Sequence, residues 1–290
     1  MKVKAAFEIL RPVNALMGCL TVIIGILNTR VGISFDRLIL NIILGVITYF
    51  FLAGDSMIIN DIYDIEIDKI NRPKRPIPRG AITLKQAKYL FCGVLIFGVT
   101  VAIIHSVLLE LGFLNVFVAA LFGFLGWFYA KWGKKSGFFG NFIVSISFSI
   151  GLIYGAILNS FVIPIYIYYF FLVSFFGLLS REVIKGCEDI EGDKGEGVKT
   201  LAIKIGIKKS VCFSILFAAL AIIFYILPLF TNILNPLLFS ISMIFGIAIM
   251  FYSIVLMLRK NLEKKDFSKI SLMIKVAGFF GLIAFLLASI

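Results

Sequence analysis

Residues 38–60 read LILNIILGVITYFFLAGDSMIIN and contain one charged side chain, Asp55. An α-helix needs about 20 consecutive apolar residues to cross the hydrocarbon core of a bilayer, and this run is too long for a strand. The sequence then turns polar, with Asn60, Asp61 and Asp64 in close succession. The stretch therefore predicts a transmembrane helix with oxygen-bearing side chains at one end.

Similar apolar runs recur along the whole chain. They occupy residues 13–30, 38–60, 88–108, 111–130, 138–158, 161–180, 209–228, 233–257 and 271–289. The 290 residues are 61% hydrophobic and 15% charged, whereas soluble domains are about 45–50% apolar and about 25% charged. This composition excludes a soluble single-core protein and a disordered chain. We expect an all-α, polytopic membrane protein with nine transmembrane helices in a single domain over residues 1–290.

The charged residues are concentrated in alternate connections between these spans. Four connections are long and charged, and they all lie on the side of the N-terminus: 61–87, 131–137, 181–208 and 258–270. Of the 28 Lys and Arg residues, only Arg30 and Arg37 lie on the other side. Because basic loops stay in the cytoplasm, we expect a cytoplasmic N-terminus and an outer C-terminus. The excess of basic residues on the cytoplasmic side accounts for the net charge of +12, and no nucleic-acid partner is expected.

The first charged connection begins with acids in a regular pattern, since residues 60–80 read NDIYDIEIDKINRPKRPIPRG. Asn60, Asp64 and Asp68 share one helical stripe if the second span continues this far, and Asp61 borders that stripe. Carboxylates stacked at such spacings repel one another. Mg²⁺ prefers oxygen ligands and would remove this penalty, so the pattern indicates a divalent-cation site.

A basic cluster follows the acids directly, among prolines that end the helix. It consists of Arg72, Lys74, Arg75 and Arg79. Oxygen ligands for a metal beside a basic cluster suit a diphosphate, because Mg²⁺ bridges some phosphate oxygens and Arg or Lys binds the rest.

The second charged connection repeats this arrangement, with residues 181–201 reading REVIKGCEDIEGDKGEGVKTL. Glu182, Asp189 and Asp193 share a helical stripe with Lys185. Both connections contain D-x-x-x-D followed by G-x-x-T-L, which hints at two related halves. One such loop is typical of a solvated helix end, whereas two on the same face of the membrane favour a functional site.

The G-x-x-T-L of the first connection also predicts a helix start. Thr83 is the expected N-cap, and Gln86 is its expected capping-box partner.

Several residues outside the acidic motifs are further candidates. Tyr129 and Lys131 end the fourth span, either as a membrane-interface anchor or as ligands of a diphosphate or an anionic acceptor. Asp55 lies at membrane depth, where an ionisable residue is a functional candidate by default. Arg11 and Asn14, at the start of the first span, could reach the same site or a cavity beside it.

Residues 60–80 fit the pattern N-D-x-x-D-x-x-x-D-x-x-x-R-P-x-R-P-I-P-x-G. This pattern resembles the first motif of the UbiA superfamily of intramembrane prenyltransferases. Residues 189–200, with two acids followed by G-x-x-T, resemble the second motif and are most similar to the archaeal branch. The resemblance implies a bundle of nine helices around a central cavity that opens to lipid, with the cytoplasmic loops as a cap.

The resemblance also implies roles for individual residues. Two Mg²⁺ ions and an isoprenoid diphosphate would be bound by a set of metal residues in which Asp61 is the neighbour of the direct ligands: Asn60, Asp61, Asp64, Asp68, Asp189 and Asp193. The four aspartates of the two D-x-x-x-D motifs would be the catalytic acids. Cations for the diphosphate would come from this set: Arg72, Arg75, Lys131, Lys185 and Lys199.

The expected reaction is transfer of a geranylgeranyl group from geranylgeranyl diphosphate to a lipid-like hydroxyl acceptor within the membrane. For the archaeal branch this acceptor is geranylgeranylglyceryl phosphate, and the product contains the second ether bond of archaeal membrane lipids. Alternative acceptors in the superfamily are an aromatic or quinone precursor, haem and a sugar phosphate. A membrane cation transporter is the alternative of another class, although transporter sites lie near the bilayer midplane rather than at one surface.

Overall fold

The computed structural model describes residues 3–133, 136–190 and 197–290. In these ranges the regular structure is helical and includes no strand. The α-helices are α1 (Val3–Ile9), α2 (Pro12–Asn28), α3 (Phe35–Tyr63), α4 (Ile65–Asn71), α5 (Leu84–Leu109), α6 (Gly112–Phe128), α7 (Phe138–Ile157), α8 (Ile165–Glu188), α9 (Leu201–Ile205), α10 (Ile207–Ile226), α11 (Pro236–Met257) and α12 (Lys264–Leu287). A π-helical turn, Tyr129–Gly133, extends α6, and a 3₁₀ turn, Leu227–Phe230, extends α10.

The helices are long enough for a protein that crosses a membrane several times. Eight spans in the described ranges have the required length and apolar composition, and α1 with α2, counted as one bent span, makes nine. The all-α, multi-span class predicted from the sequence is therefore confirmed.

The bend between α1 and α2 measures 51° and lies at Arg11 and Pro12. Pro12 occupies the first position of α2, where its missing N–H is not needed. A proline disfavours the α conformation of the residue before it, so the helix cannot continue smoothly through Arg11. Arg11 instead takes a left-handed backbone conformation with a φ of 47°.

The chain forms two compact units, and the first comprises Met1–Ile26, Arg30–Trp132 and Tyr154–Phe161. Within it α3 packs against α5 and α6. Phe122 of α6 makes edge-to-face contacts with Tyr49, at 5.5 Å between ring centroids, and with Tyr154, at 5.9 Å. A buried cluster joins α1, α3, α5 and the connection before α5: Ala5, Ile9, Leu10, Ile58, Ile77, Ile82, Ala87 and Val94.

The second unit comprises Leu27–Thr29, Gly133–Ile153 and Val162–Ile290. Its helices pack as α8 against α10 and α12, and α11 against α12. Ser180 of α8 and Ser214 of α10 lie 2.8 Å apart through their hydroxyls. Phe170 stacks on Phe285 with 4.0 Å between ring centroids. Small polar pairs and stacked rings thus bring these helices close together, as is common in membrane bundles.

Close packing of α7 on α2 in the first unit depends on Gly155. A Cβ at this position would lie 2.9 Å from the carbonyl carbon of Val22 and 3.0 Å from the amide nitrogen of Ile26. We expect Gly155→Ala to lower the midpoint of thermal unfolding in detergent, because the backbone of α2 must move away.

Gly93→Ala in α5 is the matched control, since a Cβ there would have no neighbour within 4 Å. Alanine favours the helix over glycine by about 1 kcal/mol, so this variant should be as stable as the wild type or more stable. Equal midpoints for the two variants would contradict the proposed packing role of Gly155.

Candidate functional site

The end of α3 differs from the sequence prediction. Asn60, Asp64 and Asp68 do not form one continuous helical stripe, because α3 ends at Tyr63 and Asp64 is its C-cap with φ −92° and ψ 6°. Asp68 lies on the separate helix α4. Acidic side chains in a first helical turn interact favourably with the helix dipole, and Glu66 and Asp68 both occupy that turn of α4. The helix on which the predicted stripe depends is therefore interrupted at Asp64, although the N–H of Asp68 still donates to the Asp64 carbonyl at 2.8 Å.

Two of the predicted site acids are paired with arginines. The Oδ1 atom of Asp61 accepts hydrogen bonds from Nη2 of Arg11 and, at 3.2 Å, from Nη1 of Arg75. Nη1 of Arg75 also donates to Oδ2 of Asp68. Arg11, Asp61, Arg75 and Asp68 thus form a row of alternating charges, which we call the charge row. Its acids are the buried members, since the Asp61 side chain is 1% exposed whereas those of Arg11 and Arg75 are 26% and 15% exposed.

Asn60 offers an oxygen atom outside the charge row. Oδ1 of Asn60 is buried and has no hydrogen-bond partner in the part of the chain that the structure describes. A buried amide oxygen without a partner is costly, and a hard cation would satisfy it. The backbone N–H of Asp64, which is also a buried residue, donates to the Asn60 carbonyl at 2.9 Å. Asn60 and Asp64 therefore fit the chemistry of a Mg²⁺ site.

The described residues contain no group of three His, Cys, Asp or Glu side chains that could hold a metal ion. Asn60 is an amide and therefore does not belong to these four residue types. Asp193, the predicted ligand in the second motif, lies outside the described residues.

The basic connection after α4 is attached to α1. Arg79 donates to both carboxylate oxygens of Glu8, at 2.9 and 2.7 Å, and to the Lys74 carbonyl at 2.8 Å. The hydrogen bond with Glu8 raises the pKa of Arg79 above its ordinary value. The sequence does not reveal this pair, because its partners are 71 positions apart and no local pattern relates them. Arg72, at the C-cap of α4, is exposed.

The second motif lies at the end of α8. Asp189 is the C-cap of this helix and is exposed, and its N–H donates to the Lys185 carbonyl at 3.0 Å. The Lys185 side chain is half-buried in the last turn, and Lys199 is exposed just before α9. Glu182 accepts a hydrogen bond from Arg181 at 2.7 Å.

The repeated G-x-x-T-L motif has the same backbone in both copies. Gly80 and Gly197 have φ values of 74° and 69°. Thr83 and Thr200 are N-caps with ψ values of 155° and 162°, and they begin α5 and α9. The predicted capping box of Thr83 with Gln86 is confirmed. The sequence repeat is therefore also a local structural repeat.

Lys131 and Tyr129 belong to the π-helical turn after α6, and such turns are frequent at functional sites. The Lys131 ammonium lies over the rings of Trp127 and Trp132, 5.0 and 4.2 Å from their centroids. An exposed lysine between two indoles is typical of a membrane interface, so the geometry fits the predicted anchor. The proposed contact of Lys131 with a diphosphate stays a prediction.

Asp55 and Asn14 differ in exposure. Asp55 is fully buried, and neither carboxylate oxygen has a hydrogen-bond partner among the described residues. Helical geometry places it about 120° around α3 from Asp61, so the two acids point in different directions. Asn14 is exposed in the first turn of α2, and its N–H donates to the Arg11 carbonyl at 2.9 Å.

Comparison with known proteins settles the family. The model of the UbiA prenyltransferase family matches residues 18–283. The chain belongs to the UbiA prenyltransferase family. The resemblance seen in the sequence is thereby confirmed, and so is the prediction of a prenyltransferase.

Relatives of this UbiA chain include two proteins named digeranylgeranylglyceryl phosphate synthase. The protein of Korarchaeum cryptofilum is 33% identical over 99% of this chain and 97% of its own length. The protein of Sulfurisphaera tokodaii is 35% identical over 100% of this chain and 99% of its own length. A solved structure described as digeranylgeranylglyceryl phosphate synthase superposes with a TM-score of 0.82 at 31% identity, over 99% of this chain and 98% of that one. A UbiA homologue from Archaeoglobus fulgidus, bound to GPP and Mg²⁺, shares the fold at a TM-score of 0.70 and 17% identity. The superposition covers 97% of this chain and 99% of that one.

Removal of one arginine from the charge row should strongly destabilise the first unit. Arg75→Ala leaves Asp68 buried without its arginine, and breaking a buried ion pair costs about 3–5 kcal/mol. We expect a marked fall in the unfolding midpoint, measured in detergent with EDTA present so that no metal replaces the arginine.

Arg79→Ala is the control, because its partner Glu8 is exposed and ion pairs at a surface contribute little. A loss of stability for Arg79→Ala as large as that for Arg75→Ala would show that burial does not set the strength of these pairs.

Proposed function

We propose that this UbiA protein transfers a geranylgeranyl group from geranylgeranyl diphosphate to the free hydroxyl of geranylgeranylglyceryl phosphate. The product would carry the second ether bond of an archaeal membrane lipid. The acceptor is inferred from relatives that are 33–35% identical over nearly the whole chain and bear the name digeranylgeranylglyceryl phosphate synthase. The reaction class rests on the match of residues 18–283 to the UbiA prenyltransferase family, and the cation site rests on the unpartnered buried oxygen of Asn60.

We assign Mg²⁺ as the cofactor, with one ion at each acidic motif. Asn60 and Asp64, with Asp68, would hold the first ion, and Asp189 and Asp193 the second. The A. fulgidus homologue bound to GPP and Mg²⁺ supports the combination of a prenyl diphosphate with this metal. A Mg²⁺ ion held by these residues would supply charge neutralisation of the departing diphosphate.

Basic side chains of the chain would bind the remaining diphosphate oxygens. Arg11 and Arg75 present partly accessible guanidinium groups beside the first motif, and Arg72, Lys185 and Lys199 are further candidates. Such preorganised cations favour departure of the diphosphate with the electron pair of its C–O bond. The acceptor hydroxyl then forms the new C–O bond to the prenyl carbon and releases its proton.

The membrane arrangement follows from the same distribution of charge. All but two of the 28 Lys and Arg residues lie on the side of the charged connections. We therefore propose that the N-terminus and both acidic motifs face the cytoplasm and that the C-terminus lies outside. Donor and acceptor are both prenylated, so membrane lipid is the medium from which they would reach the protein.

The test of the reaction uses the purified protein with Mg²⁺, labelled geranylgeranyl diphosphate and a panel of acceptors, followed by mass spectrometry. We expect a product with geranylgeranylglyceryl phosphate and none after EDTA treatment. A product only with an aromatic acid or a sugar phosphate would overturn the proposed acceptor. No product with any acceptor, together with metal flux in liposomes, would favour a transporter instead.

The metal assignment predicts large effects of single carboxylates. Asp64→Ala and Asp193→Ala should each lower turnover by about 100-fold or more, since loss of a metal ligand removes several kcal/mol of charge stabilisation. Glu66→Ala is the control, because this acid lies two residues from Asp64 but is exposed and pairs with Lys69. Normal activity of Asp64→Ala or Asp193→Ala, with the protein folded, would contradict the assignment.

A further inference from the structure

We propose that Asp61 is a positioning residue that holds Arg11 and Arg75 for the diphosphate and is not itself a ligand of Mg²⁺. This inference deepens the proposed function and rests on it. It divides the N-D-x-x-D motif between two tasks, with Asn60 and Asp64 assigned to the cation and Asp61 to the arginines.

The first support is the use of a single oxygen by two arginines. Oδ1 of Asp61 accepts from both Arg11 and Arg75. Two guanidinium groups compensate the carboxylate charge of Asp61, so a cation gains less there than at Asp68, whose carboxylate has one arginine partner among the described residues. Asn60, the preceding residue, has an unpartnered buried oxygen in the same described segment. The cation therefore finds a better ligand at Asn60 than at Asp61.

The second support is the accessibility of the members of the charge row. The Asp61 carboxylate is almost fully covered, whereas both guanidinium groups remain partly exposed. Among the described residues, the hydrogen bonds of Arg75 all leave from Nη1. A guanidinium has five N–H donors in a planar fork that matches phosphate oxygens. The free edge of Arg75 can therefore bind a ligand while its other edge stays fixed to Asp61 and Asp68.

The third support is the backbone of Arg11. Its φ of 47° lies in the left-handed region, and a non-glycine residue held there costs about 1–3 kcal/mol. Its N–H donates to the Glu8 carbonyl at 3.0 Å, and its Nη1 contacts Sδ of Met57 at 3.7 Å. The ion pair with Asp61, 50 positions away, thus fixes the guanidinium of a residue at the break between two helices.

The test compares metal binding with diphosphate binding in the Asp61→Asn variant. Mn²⁺ affinity, titrated by electron paramagnetic resonance without diphosphate, should equal that of the wild type. Affinity for inorganic diphosphate at saturating Mg²⁺, measured by calorimetry, should fall about tenfold or more, and KM for the donor should rise more than kcat falls. Coulomb's law alone predicts the opposite sign, because removal of a negative charge should strengthen binding of an anion.

Further variants separate positioning from a general loss of structure. Asn60→Ala should lower Mn²⁺ affinity, and Asp61→Glu, which restores the charge, should recover part of the diphosphate affinity. The effects of Asp61→Asn and Arg11→Lys on diphosphate affinity should be less than additive, because the first acts through the second. If Asp61→Asn does not fold, the comparison of metal and diphosphate binding is made on Arg11→Lys, with the same expected result.

Two results would overturn the inference. One is a loss of Mn²⁺ affinity in Asp61→Asn as large as that in Asn60→Ala. The other is diphosphate affinity in Asp61→Asn equal to or above that of the wild type. Failure of the wild-type protein itself to bind diphosphate in Mg²⁺ would instead overturn the proposed function.

Discussion

The hydrocarbon core of a bilayer contains no water that could bind backbone N–H and C=O groups. Each segment that crosses it must satisfy these groups internally, and a helix does so along its whole length. Long apolar helices and charged connections follow from this constraint, and so does the position of the candidate functional site. Charged side chains are costly in lipid, so most carboxylates and arginines collect at the ends of helices such as α3 and α8.

The end of α3 shows how charges are accommodated there. Asp61 and Asp68 are buried, and each is paired with an arginine from outside the helix. Those arginines come from a helix break at Arg11 and from the proline-rich connection at Arg75. Both places interrupt regular helix, which lets long side chains bend back toward the acids. The helix break and the proline-rich connection thus allow Arg11 and Arg75 to reach the acids, which side chains on a continuous helix could not do.

Family membership and site geometry answer different questions about function. In the function that we propose, the acidic motifs and the charge row bind the diphosphate of the donor. The relatives with full-length similarity are what point to a glycerophosphate lipid as acceptor. The unpartnered oxygen of Asn60 adds what similarity could not, a physical reason for a cation at this particular residue.

Much of this protein could be inferred from the sequence by itself. The lengths of the apolar runs predicted the transmembrane spans, and the spacing of acids and prolines indicated the two motifs. Thr83 and Gln86 marked the start of α5. These features depend on neighbours within a few positions, which periodicity and capping rules describe.

Tertiary structure decided the partners of the charged groups and the break at Asp64. Asp61 meets Arg11 from 50 positions away, and Arg79 meets Glu8 from 71. No local pattern encodes such pairs, because they form only when packed helices bring distant segments together. For the same reason the sequence grouped Asp61 with the metal ligands, whereas folding placed it between two arginines.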